Sequence, residues 1–106
     1  MIERNQHGSF GAKFSVLRTP SFNLRVTTAK KGIFSGLSTV IWDDKSGFPS
    51  SPVMQIEYPT RVRKQERYDI HDEITECLNQ RGENGEYLHD AVSDVISELR
   101  GKGIIL

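Results

Sequence analysis

Apolar and polar residues alternate through residues 12–18. Ala12, Phe14 and Val16 fall on one side, Lys13 and Ser15 on the other. That two-residue period marks a half-buried strand. Phe22, Leu24, Val26 and Thr28 alternate in the same way with Asn23, Arg25 and Thr27, and Thr19-Pro20-Ser21 between the two runs is a turn signal. A three-residue loop at 19–21 pairs Val16 with Leu24 and Phe14 with Val26, which puts both apolar sets on one face; a two-residue loop sends one set to the wrong side. The three-residue loop is therefore expected, with Lys13, Ser15, Arg25 and Thr27 outward.

Ala29-Lys30-Lys31-Gly32 is a second turn, with Gly32 free to take a positive φ. Residues 33–42 then break the alternation: Ile33, Leu37 and Ile41 share one face, and Phe34, Val40 and Trp42 share the other. A strand apolar on both faces is covered on both. Residues 43–52 (DDKSGFPSSP) form the longest loop, rich in turn formers. Residues 53–58 read as a fourth strand closed by Pro59, a residue tolerated at a strand end or edge.

From Tyr68 the period becomes helical. Ile70, Ile74, Cys77 and Leu78 stand at i, i+4, i+7 and i+8. Asp69, Asp72 and Glu73 lie early and Arg81 late, as the helix dipole favours, and Gly82 is placed to cap the C-terminus. After Asn84-Gly85, Leu88, Ala91, Val92, Val95, Ile96 and Leu99 give the cleanest amphipathic pattern in the chain, ended by Gly101 and Gly103. The apolar tail Ile104-Ile105-Leu106 suits a further short strand or a partner. Residues 60–67 (TRVRKQER) either extend the fourth strand or open the first helix. Residues 1–9 are polar and read as mobile.

These elements predict a single small α+β domain over residues 1–106: an antiparallel sheet of about four strands (β-β-β-β), then two amphipathic C-terminal helices packed on one face. The second face is left to loop 43–52 or to another copy of the chain. Phe34, Val40, Trp42 and Phe48 are the candidate interface, since large aromatic side chains dominate contact surfaces.

Charge adds to that picture. Lys plus Arg and Asp plus Glu are 14 each. The chain thus lacks the basic excess of a dedicated nucleic-acid binder, and a net charge of zero favours self-association. Apolar residues make up 36% and charged residues 26%, an ordinary soluble composition with nothing to force disorder. One cysteine rules out an intramolecular disulfide and fits a reducing, cytoplasmic location. No apolar run is long enough to span a membrane, and the first residues show no leader pattern.

Candidate chemistry is sparse. His71-Asp72 and His89-Asp90 occupy matching places in the two helical patterns. Imidazole and carboxylate on two helices suit a divalent metal, so these four residues form a candidate metal site for a small hydrolase. The doubled pair resembles the signature of the metal-dependent HD phosphohydrolases, a family that is all-helical, longer, and in need of further His and Asp ligands; the likeness ends at the dipeptide. The acids Asp69, Asp72, Glu73 and Glu76 read as a solvated helix face. Cys77 continues an apolar stripe beside Glu76 and Leu78, the setting of a small core residue and not of a thiolate nucleophile paired with His71 or His89. Arg61, Arg63, Lys64 and Arg67, flanked by Tyr58 and Tyr68, are the residues a nucleic-acid backbone would meet, but Glu57, Glu66 and Asp69 interleave with them. No Gly-rich phosphate loop, zinc spacing or RNA-recognition signature occurs, and no cofactor is indicated. The expectation is a small binding or adaptor protein, not an enzyme. It would act as a homodimer and through protein contacts, in the manner of accessory proteins of mobile elements; nucleic-acid binding is the alternative.

Overall fold

Five strands in chain order make one antiparallel meander. The computed structural model describes residues 2–7, 12–30, 36–44 and 51–105. The strands are β1 (Ile2–His7), β2 (Ala12–Arg18), β3 (Asn23–Lys30), β4 (Leu37–Asp43) and β5 (Ser51–Glu57). Two helices follow, α1 (Lys64–Glu83) and α2 (Leu88–Gly101). The architecture is α+β, a four-strand meander β2–β5 with two C-terminal helices against it, as the periodicity predicts. β1 adds a fifth strand at the free edge of β2, pairing Ile2 with Leu17 and His7 with Ala12. From their polarity residues 1–9 read as mobile, whereas residues 2–7 form this strand. An edge strand is held through backbone hydrogen bonds on one side and needs little apolar alternation. Phe34, Phe48, the turn glycine Gly32 and the centre of loop 43–52 lie outside the described residues.

The β2–β3 register departs from expectation by one residue. Leu17 pairs with Leu24, Ser15 with Val26 and Lys13 with Thr28, across a four-residue turn. Thr19 closes that turn: its N–H donates to the Phe22 carbonyl at 3.1 Å, and its hydroxyl donates to the same carbonyl at 2.7 Å while accepting from the Phe22 N–H at 3.1 Å. The slip turns β2 over. Lys13, Ser15 and Leu17 face the helices, and Phe14 and Val16 face away.

α1 lies across β1–β4 and α2 packs beside α1. The core is built from Leu17, Leu24, Val26, Ile41 and Ile56 of the sheet, Ile70, Ile74 and Leu78 of α1, and Ala91, Val92, Val95, Ile96 and Leu99 of α2. The helical stripes are those the sequence predicts, with Cys77 half-buried at the rim of the core. Residues 60–63 form a turn, with the Val62 N–H on the Pro59 carbonyl, and the helix opens at Lys64.

Both helices end in the same way. Gly85 (φ 83°) and Gly103 (φ 74°) take the left-handed conformation. The N–H of Glu86 returns to the Arg81 carbonyl and that of Ile104 to Leu99, the six-to-one bond of a Schellman motif. Gly82, expected as the cap, instead lies buried inside α1. The apolar tail neither adds a strand nor stays unpaired, because Ile104 and Ile105 fold back onto the protein's own core. Among the described residues no helix is long and apolar enough to cross a membrane.

Candidate functional site

The side of the sheet opposite the helices is covered by no described element. The molecule measures 37 × 31 × 20 Å, and its short dimension accommodates a sheet and one helical layer. Alternation places Phe14, Thr27 and Val40 in one row across β2, β3 and β4 of this side, and Val16, Arg25 and Trp42 in the next. All six are half-buried by one another and by neighbouring strands. The Trp42 indole N–H donates to Thr27 Oγ1 at 2.9 Å, and the Arg25 guanidinium stacks 5.1 Å from the indole centroid while pairing with Asp44 at 3.5 Å. These contacts fix the orientation of the indole. Beside it opens a cleft of about 310 Å³ walled by Val40, Trp42, Pro52 and Gln55. Val40 and Trp42, two of the four predicted interface residues, are thus on one face; Phe34 and Phe48 are not described. Phe14 and Val16 join that face because of the β2 register, and alternation read alone assigned them to the core.

The opposite, helix-covered face holds a chain of hydroxyls that periodicity missed. His71 of α1 is fully buried. Its Nε2 lies 2.9 Å from Ser15 Oγ and its Nδ1 2.8 Å from Thr28 Oγ1. Thr28 Oγ1 contacts Thr39 Oγ1 at 2.7 Å, and Thr39 Oγ1 contacts the Tyr58 hydroxyl at 2.7 Å. The chain therefore crosses β2, β3 and β4 and ends just past β5. A neutral imidazole has one N–H, so one neighbouring hydroxyl accepts from the ring and the other donates to it. Next to it, Lys13 Nζ donates to Asp72 Oδ2 at 2.7 Å. A serine hydrogen-bonded to a histidine is the start of a nucleophile–base arrangement. Here both residues are fully excluded from solvent, so the pair serves the fold. The missed signal was present. Thr28 and Thr39 continue the inward parity of Leu24-Val26 and Leu37-Ile41, and His71 and Thr75 each follow an apolar stripe residue.

Tyr58 carries a pH signature. Burial pushes its hydroxyl above the usual tyrosine range, outweighing the Thr39 hydrogen bond and the nearby Arg67 charge, which pull it down. Below about pH 10 both folded and unfolded chains hold this proton. Above it, the unfolded chain releases the proton first, so unfolding is favoured. Stability is expected to fall as pH rises from about 10, and Tyr58→Phe to lessen the fall; urea midpoints at about pH 9 and about pH 10.5 measure both.

The remaining candidates are dispersed. His71 points into the sheet, whereas His89 and Asp90 sit exposed in the first turn of α2. Among the described residues no group of three or more His, Cys, Asp or Glu side chains converges to hold a metal. Of the acids, Asp72 pairs with Lys13 and Glu73 with Lys102, while Asp69 and Glu76 are exposed. The Cys77 thiol accepts from Arg81 Nε at 3.4 Å.

In the basic stretch, Arg61, Arg63 and Lys64 are exposed, and Arg61 donates to the Gly103 carbonyl beyond the end of α2. Arg67 is turned inward. It donates from Nε to the Val62 carbonyl (3.1 Å), from Nη1 to Leu37 (3.0 Å) and from Nη2 to Pro59 (3.4 Å), with its guanidinium 5.6 Å from the Tyr58 ring centroid. The patch a phosphate backbone would meet is therefore smaller than the sequence suggests. The chain matches no protein-family profile, no curated protein and no solved structure.

Proposed function

We propose that this chain is a small binding module that works as a homodimer, its two copies meeting through the helix-free face of the sheet. The observation that carries the reading is the row pair Phe14–Val40 and Val16–Trp42, four large apolar side chains on a face that no described element covers. A face within a 37 × 31 Å outline has room for the roughly 800 Å² per partner that a stable interface buries. Trp42, held by Thr27 and Arg25, is a preoriented aromatic anchor of the kind that dominates such interfaces. Zero net charge removes the long-range repulsion between copies.

Sedimentation equilibrium tests the reading. The natural chain is expected to behave as a dimer. Trp42→Glu is expected to be a folded monomer, because a carboxylate at the centre of the interface would have to be buried without a counter-ion. A monomeric natural chain overturns the proposal, and a Trp42→Glu protein that stays dimeric moves the interface off this face. Nucleic-acid binding gains no support from the basic stretch. Arg67 is buried below the surface that a nucleic-acid backbone would meet and Arg61 donates to the Gly103 carbonyl, which leaves Arg63 and Lys64.

A further inference from the structure

We propose that Arg67 is the floor of a binding site for a small oxyanion, a carboxylate or phosphate group. Arg67 as a whole is 9% exposed. Its three acceptors are backbone carbonyls, which satisfy N–H groups but neutralise no charge. Among the described residues no carboxylate oxygen lies within ion-pair reach of it. A buried cation without a counter-ion is costly, and the attraction of the Tyr58 ring offsets only part of that cost. A guanidinium has five N–H donors. With one on Nε and one on each terminal nitrogen already used, one remains on each terminal nitrogen, the pair that grips a carboxylate or phosphate in a fork.

Arg67 lines a cavity of about 250 Å³ between the start of β4, the end of β5 and the first turn of α1. The cavity is of the size for a small anionic group, below the range of drug-sized pockets. Gly36 lies against its floor: a Cβ there would come 2.5 Å from Arg67 Nη1, so a larger residue would have to displace the guanidinium from its present place. Ser38 and Thr60 line the wall, and their hydroxyls are candidate donors for further anion oxygens. Glu57 stands exposed on the rim. Its charge weakens anion entry and sets a direction for the test. Ser38 also lines the cleft beside Trp42, but the argument for the anion site rests on Arg67 and not on the proposed dimer contact.

The probes are inorganic phosphate and acetate, titrated separately while the Arg67 Nε–H signal is followed by NMR. A saturable shift of that signal is expected with at least one of them. Phosphate alone marks a phosphate-bearing ligand, acetate alone a carboxylate, and both the shared oxyanion chemistry. Glu57→Gln is expected to tighten binding several-fold. Because Arg67→Met removes a carbonyl clamp and endangers folding, Thr60→Glu is the safer variant. It alters an exposed turn residue, places a resident carboxylate at the cavity, and is expected to abolish the shift while the protein stays folded. No saturable shift with either anion overturns the proposal, as does an undiminished shift in Thr60→Glu.

Discussion

His71→Ala is expected to destabilise the domain by about 3–5 kcal/mol, a large share of the total for a chain this size. The substitution removes the ring that Ser15 and Thr28 both contact; the buried Ser15 hydroxyl is left without that partner, and Thr28 loses one bond but keeps its contact with Thr39. Each unsatisfied buried group costs about 1–3 kcal/mol, and the vacated imidazole volume adds a cavity term. The melting temperature should fall by roughly 15–25 °C. His89→Ala, an exposed position at the matching place in α2, should change stability by no more than about 0.5 kcal/mol. Ser15→Ala combined with His71→Ala should cost less than the two changes summed, because no Ser15 hydroxyl is then left orphaned. A loss under about 1 kcal/mol for His71→Ala would mean that water replaces the ring in the hydroxyl chain.

The contrast between these two histidines marks where reading the chain succeeds and where it stops. α2 was legible because its six apolar positions follow the helical period without exception and all face the core or its rim. β4 was legible as a two-faced strand, with Leu37 and Ile41 inward and Val40 and Trp42 outward. β2 was not. Its alternation sets Ala12, Phe14 and Val16 against Lys13, Ser15 and Leu17, and hydrophobicity favours burying the first set. The second set is buried because His71 and Asp72 reach down from α1 to satisfy Ser15 and Lys13. Partners so distant in sequence leave no trace in a local period. That inversion is also why Phe14 and Val16 belong to the candidate interface. Arg67 failed for a related reason: a charge run reads as one solvated face, and which arginine turns inward depends on carbonyls at Leu37, Pro59 and Val62 that only the folded chain brings together.

Three glycines should respond with different signs to the same change, and Gly82 with the largest loss. A Cβ at Gly82 would lie 2.3 Å from Thr19 Oγ1 and 2.7 Å from both Thr19 Cβ and Cγ2. Thr19 cannot turn aside cheaply, since its hydroxyl closes the β2–β3 turn through two hydrogen bonds to Phe22. Either that turn opens or α1 lifts from it. Gly82→Ala is therefore expected to cost about 2–3 kcal/mol even though alanine favours a helix by about 1 kcal/mol, and Gly82→Val to cost more. Gly85→Ala meets no atom within 4 Å but is strained at φ 83°, for a loss of about 1 kcal/mol. Gly101→Ala, in open space with no positive φ, should gain a few tenths to about 1 kcal/mol. Thr19→Gly separates the first two mechanisms. In that background Gly82→Ala loses its obstacle and should approach neutrality, whereas Gly85→Ala keeps its full cost. If Gly82→Ala is as damaging with Thr19→Gly as without it, the contact between α1 and the turn does not set the helix position, and the loss must come from another neighbour of Gly82.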